Sequence, residues 1–167
     1  MLLKKKIILI TGGGKGIGYS SVINCTNEGG IVYTLVRDKK DINKFAKNSN
    51  VRVYHGNVNN LSVIKKIFKD SKQRNEIITG LVNNAGIRQR LKFEKINKKK
   101  LFEVFNTNFF SVFKLMQIFS DYLKKNKKSG AIVNIGSIVG NQGFTELCGY
   151  ASTKTALIGL TKSFAVE

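Results

Sequence analysis

The sequence predicts an α/β fold, a doubly wound parallel sheet in three α/β/α layers, and three observations carry that prediction. Short, almost continuously apolar runs alternate with segments at helical spacing, and Ile31-Val-Tyr-Thr-Leu-Val36 is the clearest of them. Such runs suit strands buried on both faces. A glycine cluster, Gly12 to Gly18, falls where the first apolar run gives way to the first helical pattern. Across 167 residues there is no internal repeat, low-complexity linker or second domain, so residues 1–167 are expected to form one domain. Right-handed crossovers between the strands make the sheet doubly wound.

The elements follow in order. Lys6 to Thr11 is the first strand, and a helix after the glycines runs to about Glu28, where Gly29-Gly30 stops it. Ile31 to Val36 is the second strand, and a short helix is expected over Asp41–Lys47. Val51 to His55 is the third strand. Leu61, Ile64, Ile67 and Phe68 recur at helical spacing. Ile77 to Val82 is the fourth strand, closed by Asn83-Asn-Ala-Gly86, and a loop follows to about Ile96. One long helix is expected over Lys98–Lys124, then a lysine-rich turn, a fifth strand over Ala131–Ile135, and a last helix from near Gly149 still running at Glu167.

Composition narrows the classes. The chain is 42% hydrophobic, and no apolar run is long enough to cross a bilayer. The opening apolar stretch is too short for a secretory signal, so a cytoplasmic location is expected. Cys25 and Cys148 lie far apart with no C-x-x-C spacing and are expected to be reduced; with a single histidine, His55, no metal site is expected. A net charge of +19 raises nucleic acid as a partner. The lysines, however, are scattered along helix faces in a chain rich in Lys, Asn, Ile and Phe, so neither nucleic acid nor membrane is expected.

The chemistry concentrates between Ser137 and Lys154. Tyr150 and Lys154 are four apart, hence on one helix face. A phenol titrates at about 10 when free, and a neighbouring cation favours the phenolate, which prepares a proton donor for use near neutrality. Ser137, at the end of the fifth strand, offers a second hydroxyl to the same oxygen. At the other end of the chain, Gly12, Gly16 and Gly18 fall at a strand-to-helix turn, where side chains would keep a pyrophosphate from the helix N-terminal amides. The spacing G-x-x-x-G-x-G is neither G-x-G-x-x-G nor a P-loop. Arg37, just past the second strand, and Lys15 in the turn favour a 2′-phosphate and thus NADPH. Asp38 would serve NAD if the strand ended one or two residues later.

Five stretches carry a family resemblance: Thr11-Gly-Gly-Gly-Lys-Gly-Ile-Gly18, Asn83-Asn-Ala-Gly86, Asn108 in Asn-Thr-Asn-Phe-Phe, Ser137 in Ile-Gly-Ser, and Tyr150-Ala-Ser-Thr-Lys154. In order and spacing the chain resembles a short-chain dehydrogenase/reductase of Rossmann type, most like the 3-oxoacyl-acyl-carrier-protein reductases. The resemblance implies a catalytic set of Asn108, Ser137, Tyr150 and Lys154. Tyr150 would protonate the substrate oxygen, Lys154 would lower its pKa and hold the nicotinamide ribose, Ser137 would polarise the carbonyl, and Asn108 would hold a relay water. Gly12, Gly14, Lys15, Gly16, Ile17 and Gly18 would receive the dinucleotide, with Arg37 at the 2′-position. Asn57 and Val58 would hold the adenosine end, and Asn84, Ala85 and Gly86 would line the cofactor.

The same resemblance implies reduction of a 3-oxoacyl thioester, with a sugar, polyol or steroid substrate, or an inactive dinucleotide-binding protein, as alternatives. It implies acyl carrier protein as substrate carrier, docking at the basic turn with Lys127 and Lys128, and a homo-oligomer built through the two long helices. Relatives continue beyond the position matching Glu167, so the domain is expected to be incomplete at its C-terminus.

Overall fold

The computed structural model describes residues 1–167, and they pack as two compact units, 1–85 with 115–133 and 86–114 with 134–167. The first unit holds the sheet. Its strands are β1 (Ile7–Thr11), β2 (Ile31–Val36), β3 (Val51–His55), β4 (Gly80–Asn83) and β5 (Ala131–Asn134), in the order β3-β2-β1-β4-β5. The paired strands β1–β2, β1–β4 and β2–β3 are parallel, with Ile7 opposite Ile31, Leu9 opposite Leu81 and Val32 opposite Val51. Chain order reverses about β1, so the carboxyl ends of β1 and β4 flank the switch point where such sheets receive ligands.

Alternation along β1 divides the core in two. Leu9, Tyr33, Leu35 and Leu81 pack with Ile64, Ile67 and Phe68 of α2 (Leu61–Gln73) and with Leu115 and Phe119 of α4 (Ser111–Asn126). Ile8, Ile10, Val32 and Val36 face the other way, onto Val22 of α1 (Gly16–Asn27) and Phe45. Each such side chain taken fully from water contributes roughly 1.5–3 kcal/mol, and both faces of the sheet are covered.

Local differences from the sequence expectations have physical causes. The helix expected over Asp41–Lys47 is a 3₁₀ segment, Lys39–Phe45, started by the Asp38 carboxylate accepting from Lys40 N and closed by bonds of i to i+3 type. β4 begins at Gly80, three residues later than expected, and ahead of it the Ile78 amide donates to the Tyr122 hydroxyl instead of to a strand (3.4 Å).

In the second unit the expected single long helix is interrupted. α3 (Lys98–Phe105) passes into a π-helical turn, Asn106–Phe110, before α4 begins. α5 (Cys148–Phe164) ends short of Glu167, its last turn tightened by Val166 N donating to Ser163 O. No helix is long and apolar enough to cross a membrane.

Candidate active site

The glycine-rich turn lies at the carboxyl end of β1 in the first unit. Gly12 sits at φ +70°, and a Cβ there would lie 3.0 Å from the Ala85 Cα. A Cβ on Gly18 would lie 2.3 Å from the Gly12 carbonyl oxygen. These two glycines let the turn close on the end of β4. Asn84 fastens the closure by donating through Nδ2 to Thr11 O (3.0 Å) and Gly12 O (3.1 Å). Thr11 Oγ1 accepts from the Asn84 and Ala85 amides, which ties the ends of β1 and β4 together. α1 then starts at Gly16 behind Lys15, with no side chain capping its first amides. Gly16 itself, at φ +51°, has no atom within 4 Å of where a Cβ would stand. An uncapped twelve-residue helix with an open glycine at its mouth fits an anionic group such as a dinucleotide pyrophosphate.

Other predicted cofactor residues of this unit are dispersed. Ile17 is exposed on α1, and Arg37 is exposed immediately after β2. Lys15 lies 3.5 Å from the Asp38 carboxylate, which it shares with Lys40. Asn57 turns its Oδ1 to the Asn59 amide, and Val58 is buried among the core side chains beneath α2.

The second unit holds all four residues of the predicted catalytic set. Asn108, 1% exposed, lies inside the π turn. Its Oδ1 accepts from the Ile87 amide (2.8 Å), and its Nδ2 donates to Ile87 O (2.9 Å) and Thr153 Oγ1 (3.2 Å). An amide side chain satisfied by one residue's N–H and C=O acts as a strand partner for the stretch following Gly86. The widened turn brings it there, as π turns frequently do at functional positions.

Thr153, fully buried, donates its own hydroxyl hydrogen bond to Tyr150 O (2.7 Å), so Asn108 and the Tyr150 backbone are joined through one threonine. Lys154 is 7% exposed; its ammonium donates to Ile135 O (2.6 Å) and lies 5.9 Å from the Tyr150 ring centroid. Burial lowers the Lys154 pKa from its ordinary value. Ser137 caps the short turn Ile138–Gly140, accepting from Val139 N at a long 3.4 Å, which leaves its hydroxyl proton to donate. That turn rests on α5: a Cβ on Gly140 would meet the Lys154 backbone at 3.1 Å.

Two residues escaped the sequence reading. Thr153 stands one place before Lys154 and Thr11 ends β1, and both read there as ordinary small polar residues. The only signal was a threonine inside an otherwise singled-out motif.

A family model described as short chain dehydrogenase matches residues 6–167. A 3-oxoacyl-[acyl-carrier-protein] reductase of Thermotoga maritima is 32% identical over 172 residues, covering 100% of this chain and 70% of that protein. A 3alpha-hydroxysteroid dehydrogenase of Mediterraneibacter gnavus is 27% identical, covering 100% of this chain and 69% of its own. Among solved structures, a 4-hydroxyisoleucine dehydrogenase complexed with NADH superposes with a TM-score of 0.86 at 27% identity, over 96% of this chain and 67% of that one. A short chain dehydrogenase from Bacillus anthracis gives a TM-score of 0.92 over 97% of this chain and 69% of that one, at 22% identity, a likeness of fold.

Proposed function

The chain belongs to the short-chain dehydrogenase family, and from that premise we propose that it reduces the 3-keto group of an acyl thioester on acyl carrier protein, with NADPH. The observation that carries the chemistry is the buried Lys154 ammonium beside the Tyr150 ring on one face of α5. Bound NADPH would supply the hydride. Tyr150 would give its hydroxyl proton to the substrate oxygen, and Lys154 would hold positive charge next to the phenolate left behind. Ser137 would donate its free proton to the same oxygen, so two donors meet charge as it develops there. Asn108 holds the backbone at Ile87 and, through Thr153, the first turn of α5, which keeps Tyr150 in register.

NADPH is favoured over NADH by Arg37, exposed at the end of β2; Lys15 is already shared with Asp38. The thioester is favoured by relatives named for it at 32% and 31% identity. The hydroxysteroid relative supports a second reading, a dehydrogenase of another secondary alcohol. Lys127 and Lys128 are the proposed docking point for the acidic carrier. A homo-oligomer is proposed through the open apolar hollow of about 710 Å³ lined by Leu101, Phe102, Phe105 and Phe110, and a cytoplasmic location goes with the same reading.

The test is NADPH oxidation with acetoacetyl-acyl carrier protein as acceptor, run beside NADH as the reductant and beside a 3-ketosteroid as the acceptor. Turnover on the thioester, lost by about 10²–10⁴-fold in Tyr150→Phe, supports the proposal. Turnover on the steroid alone replaces it with the second reading.

A further inference from the structure

The outer side of the glycine turn is held by a lysine that none of the dinucleotide motifs includes. Lys44 lies in the 3₁₀ segment after β2, and its Nζ donates to Gly14 O at 2.7 Å. The same ammonium pairs with Asp41 Oδ1 at 2.8 Å and lies 5.6 Å from the Tyr19 ring centroid on α1. Asp41 is 3% exposed, and Lys44 is the cation set against its carboxylate. Asp41 also presses on the turn directly, since a Cβ on Gly14 would stand 2.4 Å from its Oδ2.

We infer that Lys44 and Asp41 are positioning residues that aim the glycine turn at its dinucleotide, an inference that rests on the cofactor reading above. The mechanism is geometric. Across a trans peptide, the carbonyl and the following amide point in opposite directions. Pinning Gly14 O therefore fixes where the Lys15 N–H points, and Lys15 is the residue from which the uncapped α1 starts. Lys44 acts through this peptide plane, whereas Asp41 sets the position of Lys44 and braces Gly14. An ion pair within the 3₁₀ segment, its carboxylate buried and its ammonium partly exposed, reaches both the turn and α1 and holds the turn ready before the ligand arrives, which lowers the ordering cost of binding.

The experiment is fluorescence titration of the 167-residue chain with NADPH, with thermal melts to verify folding. Lys44→Met keeps the stem over Tyr19 and removes the ammonium, and it is expected to weaken NADPH on the order of tenfold. Lys44→Arg restores a donor to Gly14 O and is expected to recover most of that loss. Gly14→Ala leaves Lys44 untouched but forces the turn off Asp41, and it is expected to weaken binding to a similar degree. If Lys44→Met does not fold, Gly14→Ala and Lys44→Arg decide alone. A folded Lys44→Met or Gly14→Ala that binds NADPH as tightly as the parent overturns the inference and leaves the cofactor reading standing. A parent chain that binds neither NADPH nor NADH overturns both.

Discussion

At the scale of single residues, Asn108 shows how one polar side chain can carry more structure than its size suggests. It replaces a strand partner for Ile87 and also reaches Thr153. Asn108→Ala would strand a backbone donor and acceptor, and it should lower stability by about 2–4 kcal/mol in denaturant unfolding. Two tyrosines make a second residue-scale case. Tyr33 donates to Glu76, which also pairs with Arg52 (2.8 Å), and Tyr54 donates to Asp70 (2.9 Å). Desolvation foremost, and then the carboxylate each phenol serves, raise both pKa values well above the ordinary 10.0. The folded chain therefore keeps these protons longer than the unfolded chain. Their contribution is fully present below pH ~10 and is lost as pH rises further. Ultraviolet titration should find Tyr33 and Tyr54, of five tyrosines, ionising only with alkaline unfolding, and Tyr54→Phe should remove one of the late protons.

At the scale of elements, what was legible in the sequence was what local chemistry determines. β2 and β3 were read to their observed ends because apolar β-branched runs are bounded by glycine or charge. The glycine turn was readable for the same reason. The π turn was not: Asn106–Phe110 has ordinary helical composition, and the contacts that accompany its widening run from Asn108 to Ile87, a partner 21 residues away. The Asp41–Lys44 pair was equally hidden, because an i,i+3 charge pair on a short segment reads as a solvated face. Caps are the local feature most easily tested. Asn60 starts α2 by accepting from the Ser62 amide at 3.0 Å. Asn60→Ala should cost about 1 kcal/mol, and Asn60→Gly only a few tenths, read from chemical-denaturation midpoints.

At the scale of the whole molecule, the family was legible because its motifs follow one another along the chain, whereas the division into two compact units left no trace in composition. Leu101, Phe102, Phe110 and Phe113 are each at least 39% exposed, an aromatic surface that a second copy would cover under the proposed assembly. Phe102→Glu with Phe110→Glu should shift sedimentation toward the monomer at micromolar protein. A parent chain that sediments as monomer would remove that assembly.

The placement of β5 at one margin of the sheet, with Val133 52% exposed, has a further consequence. In the 167-residue chain that margin can recruit foreign strands, and flanking positive charge is a known deterrent. Lys127 and Lys128 stand just ahead of that margin, so they would also serve as gatekeepers of solubility. Replacing both with alanine should make the protein scatter light on standing. Replacing both with glutamate should keep it clear while abolishing any attraction to an acidic carrier.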